Sequence, residues 1–161
     1  MNYYIIEPEV AGEIGENTIY EYGESRQEKE NGPIIKHLHF VFDGWLGDDI
    51  IETSPCFLVS ERLKLLIEKN MLSGCVFQNV EISYSDLFKE LYPDRCMPIF
   101  YRLVPTCSIC INEGKYNSNI NMKDFMISQK NYLVISEKAK SLFSSDKCVT
   151  DYADYSLLSM K

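Results

Sequence analysis

No apolar run in this 161-residue chain approaches the roughly 18–20 residues that cross a bilayer as a helix, so a helical membrane span is excluded. The first residues, Met1-Asn2-Tyr3-Tyr4-Ile5-Ile6-Glu7, lack the basic stretch and apolar core of a signal peptide. A cytosolic, reducing setting is the expectation. Basic charge is scarce: 16 Lys and Arg stand against 24 Asp and Glu, a formal net charge of −8. That balance argues against direct binding to nucleic acid, which needs clustered cations, and suits a basic protein partner. Histidine is limited to two residues, and neither GxxxxGKS/T, GxGxxG nor HExxH occurs. A phosphate-cradling loop, a dinucleotide fingerprint and a zinc-protease helix are therefore missing.

What is present suits one soluble domain. Hydrophobic residues make up 45% and charged residues 25%, enough to bury a single core without disulfides or metal. The charge is uneven, because residues 1–30 carry eight glutamates against Arg26 and Lys29. After a first strand over residues 3–6, the Glu- and Gly-rich stretch at about 8–33 has no sustained apolar period. It reads as an acidic loop or arm.

From His37 the pattern alternates through Leu38, Phe40 and Phe42, the period of a strand. A glycine-flanked turn with Asp43, Trp45, Asp48 and Asp49 follows. Ser60 is an N-cap candidate, with Leu63, Leu66 and Ile67 forming one apolar helix face. Gly74 is a stop signal and residues 76–82 return to strand alternation. Residues 85–91 read as a short helix burying Leu87, Phe88 and Leu91, residues 97–104 as a strand, residues 112–121 as a polar loop and residues 150–161 as a closing strand.

Leu58-Val59-Ser60-Glu61-Arg62-Leu63-Lys64-Leu65-Leu66 lines up with Val134-Ile135-Ser136-Glu137-Lys138-Ala139-Lys140-Ser141-Leu142. Both segments run on to Cys-Val, at 75–76 and 148–149. Duplication and convergence both account for the match, and convergence, needing only capping physics, is the preferred reading at this level. Irregular alternation of strands and helices gives an α+β class: one domain over 1–161, a mixed or mostly antiparallel sheet and two or three short helices.

Six cysteines without an export signal read as free thiols, with Cys56, Cys75 and Cys148 acting as small hydrophobes. Cys107-Ser108-Ile109-Cys110 supplies half of a zinc site, which His37 and His39 would complete only if their strand ran close by. Redox use of that CxxC would want a helix N-terminus, and here a loop follows it. A Cys–His enzyme and a zinc-stabilised interaction module stand as alternatives. The expectation is no catalytic residue, no metal and no cofactor. The cluster Asp43, Asp48, Asp49 and Glu52 is expected to be a solvated turn, with surface recognition as its functional reading. Trp45 is expected as a core anchor at a strand end, or, if exposed, as a binding hot spot.

Four stretches taken together carry a resemblance: Tyr3-Tyr4-Ile5-Ile6, Trp45-Leu46-Gly47-Asp48-Asp49, the 55–82 unit with its Val-Ser-Glu-Arg helix start, and Asp124-Phe125 followed by Leu133-Val134-Ile135-Ser136-Glu137. The ensemble resembles small α+β immunity proteins of bacterial polymorphic-toxin and contact-dependent inhibition systems, over residues 37–82 and 124–149. The resemblance implies a protein that binds a cognate toxin in the producer's cytosol and blocks it, with no chemistry of its own. The expected partner is a toxin with a basic surface, met by Trp45, Asp43, Asp48 and Asp49, with Glu13, Glu16, Glu21 and Glu24 as a second contact.

Overall fold

The computed structural model describes residues 1–26, 33–117 and 121–161, and its architecture is α+β. Strands are numbered in chain order. One sheet runs β11 (Ser108–Ile109), β14 (Phe125–Ser128), β15 (Leu133–Ser136), β1 (Tyr3–Glu7), β16 (Asp154–Leu157). A second runs β6 (Ile50–Thr53), β7 (Cys56–Ser60), β10 (Phe100–Pro105), β8 (Cys75–Gln78). Helix α1 (Glu61–Lys69) follows β7, and α3 (Glu137–Phe143) follows β15. Helix α2 (Asp86–Leu91) follows the small sheet of β2 (Gly12–Ile14), β5 (His39–Phe42) and β9 (Glu81–Tyr84). Two smaller sheets pair β3 (Ile19–Glu21) with β4 (Ile34–His37), and β12 (Ile111–Asn112) with β13 (Lys115–Tyr116) and β17 (Ser159–Met160).

Each main helix starts because a serine caps it. Leu63 N–H donates to Ser60 Oγ (3.2 Å) and Ala139 N–H to Ser136 Oγ (3.1 Å), while Glu61 and Glu137 place a negative charge in the first turn. Four residues separate Leu63 from Ile67 and Ala139 from Phe143, so each pair shares a helix face, and all four are buried in one core. That core also takes Ile50, Val59 and Leu103 from one sheet and Phe125, Ile135 and Ile6 from the other. Burying one such Leu, Ile or Phe stabilises the fold by about 1.5–3 kcal/mol. The opposite faces have their own covers. Leu58 and Phe100 pack with Phe40, Phe42 and Phe88, whereas Val134 and Tyr3 pack with Ile109, Tyr116 and Leu158.

The matched helix starts belong to a repeat that reaches well beyond capping. The sequence Tyr3-Tyr4-Ile5-Ile6-Glu7-Pro8 in β1 has its counterpart in Phe100-Tyr101-Arg102-Leu103-Val104-Pro105 of β10. Each of these strands is inserted into the sheet of the other repeat. Strand β1 lies between β15 and β16, with Tyr3 opposite Ser136, and β10 lies between β7 and β8, with Phe100 opposite Ser60. After its proline each chain crosses back. Glu52 N–H then donates to the Glu9 carbonyl (2.9 Å) and Ile127 N–H to the Cys107 carbonyl (2.9 Å), both in parallel pairing. The first repeat spans β1 to β8 and the second β10 to β16. Convergent capping explains none of this shared register and crossover, so the preference for it is corrected. The Cys-Val part of the match is corrected too: Val76 of β8 lies opposite Val104, whereas Glu7, the counterpart of Val104, lies opposite Asp154, not Val149.

Other expectations shift locally. The 8–33 stretch is not a plain loop, since β2 and β3 lie in it and Glu9 is buried; its residues 27–32 fall outside the described residues. The strand through residues 37–42 breaks at Leu38 into β4 and β5. Only Phe88 of α2 is buried, leaving Leu87 and Leu91 exposed, because a six-residue helix presents one narrow stripe to the sheet. The 112–121 loop carries the small turn of β12 and β13, with 118–120 outside the described residues.

Candidate functional site

The two repeats differ most in what lies between the first strand and the helix-forming hairpin. In the second repeat a short stretch with β11 to β13 fills that place; in the first, a much longer one carries β2 to β5 and the Trp45 turn. This elaboration holds every residue that the sequence offered for a toxin contact: Glu13, Glu16, Glu21, Glu24, Asp43, Trp45, Asp48 and Asp49.

At its end the Trp45 turn is pinned from inside. Asp48 is fully buried, and its carboxylate accepts the Asp151 N–H (3.0 Å) and the Tyr152 N–H (2.9 Å). Asp49, also buried, accepts Ser60 Oγ (2.6 Å), Arg62 Nη2 (2.6 Å) and Val149 N–H (2.7 Å). The solvated acidic turn is thus corrected for these two residues, which clasp the loop after α3. Burial pushes the Asp48 carboxyl up, against the pull of its two backbone hydrogen bonds. Asp43 is only partly buried, and Glu52, in β6, has its carboxyl pushed up by burial and by Glu7.

Trp45 is a half-buried wedge. Its Nε1 donates to the Asp48 carbonyl (2.8 Å) and its ring meets Phe100 edge-on at 5.7 Å. Arg95 caps it from outside, with the guanidinium 4.5 Å from the Trp45 ring and 4.8 Å from that of Tyr92. Arg95 Nη1 also donates to the Trp45 carbonyl (2.6 Å). Glu9 closes the underside by accepting the Leu46 N–H, and burial pushes its carboxyl up. Beside the wedge lies an open groove of about 390 Å³ between Trp45, Arg62, Cys96 and Pro98. Neither Arg95 nor Glu9 was legible as a partner of the Trp45 turn, since both lie far from it in sequence and no spacing links them.

Glu13, Glu16, Glu21 and Glu24 are all exposed. Among them stand apolar residues that the sequence reading did not single out: Ile19, Tyr20, Tyr22 and, from β4, Ile34. The signal available was the Ile-Tyr-Glu-Tyr alternation, masked by the surrounding glutamates and glycines.

His37 and His39 both reach Glu81, at 3.4 Å each. His39 is buried; its Nδ1 accepts the Asn17 N–H (3.2 Å) and its Nε2 lies 2.8 Å from Ser83 Oγ. Asn17 also holds Glu81, and that hydrogen bond, with the two histidines, keeps the Glu81 carboxyl below its ordinary value. This network staples the turn after β2 to β5 and β9. Cys107 and Cys110 flank the two-residue β11, where Ile109 points inward and Ser108 outward, so strand alternation sends the two thiols to opposite faces. Among the described residues no group of three or more His, Cys, Asp or Glu side chains is arranged to hold a metal ion. Burial pushes the Cys75 thiol up to about 12 and the Cys148 thiol up to about 11, the opposite of an activated nucleophile.

The geometry thus offers a surface: an acidic and apolar elaboration on one repeat, beside a braced aromatic wedge. Residues 20–93 match the model of an immunity protein family, Imm11, consistent with a bacterial toxin immunity protein. The matched stretch runs from β3 through α2, so it takes in the Trp45 turn and the first capped helix but neither β1 nor the second repeat. The resemblance read from the sequence is borne out over residues 37–82, and the match does not extend to residues 124–149. No curated protein matches the chain. Among the described residues no helix is long and apolar enough to cross a membrane.

Proposed function

We propose that this chain neutralises a cognate bacterial toxin by binding it in the cytosol of the producing cell, as a blocker with no chemistry of its own. The match of residues 20–93 to an immunity family carries the reading. The charge distribution supports a basic partner, because the exposed glutamates concentrate on the elaborated repeat, where complementary charge raises the association rate. Glu13, Glu16, Glu21 and Glu24 meet the toxin directly, and Asp43 and Trp45 border that contact. Asp48 and Asp49 contribute from inside, by fixing the turn that presents Trp45.

The test is co-expression with whatever toxin-like domain a reading frame adjoining this gene encodes. Growth rescue together with a stable co-purified complex is the expected outcome. A toxin that still kills, with no complex recovered, would overturn the proposal.

A further inference from the structure

We infer that the open edge of β8 pairs with the same edge of a second copy of this chain, about a twofold axis at Val76. The inference is independent of the toxin contact proposed above. Strand β8 ends its sheet, and among the described residues β10 is its one neighbour. An unpaired strand edge presents a row of free N–H and C=O groups, which proteins ordinarily guard. The other edges of the two main sheets are guarded: Glu9 bridges to Ile51 on β6, β11 is two residues long, and β16 opens with Asp154. Around β8, residues 73–80 read Ser-Gly-Cys-Val-Phe-Gln-Asn-Val, with neither a charge nor a proline.

Which backbone groups of β8 are free follows from its register. Pro105, which has no N–H, lies opposite Cys75, and Thr106 N–H donates to the Gly74 carbonyl (2.8 Å). The bonded pairs of this antiparallel ladder are therefore Val76 with Val104 and Gln78 with Arg102. Cys75 and Phe77 turn their N–H and C=O groups to the open side. Their side chains pack on the core beneath α1, whereas Val76 stands on the opposite face at 47% exposure.

Two copies of one edge pair where outward groups meet outward groups. An axis at Val76 does this: on either side of it, Cys75 of one copy and Phe77 of the other exchange both backbone hydrogen bonds, and Val76 meets its own mate at the closer, non-bonded spacing. Charge selects the same register. On the α1 face, Lys64 lies 5.5 Å from the Phe77 ring and pairs with Glu68 (3.0 Å), whose charge acts on Cys75. Setting Cys75 opposite Phe77 of the second copy therefore brings Glu68 toward Lys64 on both sides of the axis. That self-complementarity favours a second copy over an unrelated strand. The other charges stand away from the axis. Arg102 lies across from Gln78 on the Val76 face, Lys123 and Asp124 flank Ser73 and Gly74, and Glu81 follows the uncharged stretch.

Sedimentation velocity of the full chain under reducing conditions, from micromolar to millimolar concentration, should show reversible dimerisation. Over the same range, amide exchange read by NMR should slow at Cys75 and Phe77. Val76→Lys sets like charges across the axis and should weaken the dimer by about tenfold. Lys64→Glu and Glu68→Lys should each weaken it by about fivefold, and the two together should restore it, because the exchanged pair is again self-complementary. Leu157→Lys, on the β16 edge, should leave association unchanged. Thermal unfolding midpoints of Val76→Lys and Leu157→Lys that match wild type at the lowest concentration show intact folds. A monomer throughout, with the Phe77 amide exchanging fast at every concentration, would overturn the inference. So would a dimer that Val76→Lys leaves intact, or a charge exchange that restores nothing of what the single changes lost.

Discussion

The two repeats solve the same folding problem and then part company. Both set an aspartate ahead of a hairpin, cap a helix with serine and glutamate, and lend their first strand to the other's sheet. They also clasp each other. The loop after α1 supplies Ser73 N–H and Oγ to Asp124 (2.8 and 3.0 Å), as the loop after α3 supplies Val149 N–H to Asp49. Gly74, with positive φ, belongs to this exchange, because a Cβ there would run into the Phe125 carbonyl. Only the first repeat then adds the acidic hairpin and the Trp45 wedge. A shared scaffold with one-sided elaboration separates what the fold needs from what is left for recognition.

The clasps should break unequally. Asp49→Ala leaves the Ser60 hydroxyl and Val149 N–H without an acceptor in a buried site, an expected loss of about 3–5 kcal/mol in urea unfolding. The Arg62 partner, more than half exposed, adds little of that. Asp124→Ala uncovers a more solvated site and should cost about 1–3 kcal/mol. Equal losses would show that the repeats carry equal weight and that the buried Asp49 is not the principal seam.

The acids also titrate in opposite senses. Burial pushes the Asp124 carboxyl up, but hydrogen bonds from Ser136 and Ser73 outweigh it and hold the group below its ordinary value of 3.8. Its contribution is therefore present above that value and is lost as pH falls through the lower folded one. Asp48, where the second repeat has Lys123, is raised instead. Stability linked to Asp48 is present below 3.8 and lost as pH rises through the folded value. Stability measured against pH should show Asp124→Asn converging on wild type in acid. Asp48→Asn should gain on wild type as pH rises above about 4. Parallel curves for the two variants would contradict the opposed environments.

Much of the scaffold was legible because it is local. Serine followed by glutamate and an apolar i, i+4 pair announces a capped helix within nine residues, and alternation announced the strands on either side. The exchange of β1 and β10 was not legible, since pairing Tyr3 with Ser136 is a contact between chain ends that no local pattern encodes. Asp48 and Asp49 misled for the same reason. Directly after Gly44-Trp45-Leu46-Gly47 they look solvated, and what buries them arrives from residues 149–152. Glu13, Glu16, Glu21 and Glu24 were readable as exposed because nothing apolar spaces them onto a core face, whereas the tyrosines among them stayed hidden.

The caps give a smaller and more symmetrical comparison. Ser60→Ala and Ser136→Ala each remove an N-cap and a hydroxyl bond to the clasping aspartate, for an expected loss of about 1–2 kcal/mol apiece. A near-equal pair of losses supports true equivalence. A loss confined to Ser60 would place the second cap outside the stabilising framework.

The smallest expected effect is also the sharpest test of equivalence. Lys64 lies 5.1 Å from the Tyr101 ring and 5.5 Å from that of Phe77. At the matching place Lys140 lies 5.0 Å from Tyr4 and 5.1 Å from Tyr155. Each lysine extends from its helix over the first strand lent by the other repeat, so the contact joins segments that are distant in sequence. Double-mutant cycles pairing Lys64→Met with Tyr101→Leu, and Lys140→Met with Tyr4→Leu, should each return a coupling of about 0.5–1 kcal/mol. Lys64 also pairs with Glu68 (3.0 Å), so its single substitution should cost slightly more, but that difference cancels in the cycle. Two couplings equal within about 0.5 kcal/mol would make the lysine cradle a shared device of the swapped strands. A coupling at one site and none at the other would reduce it to a coincidence of geometry.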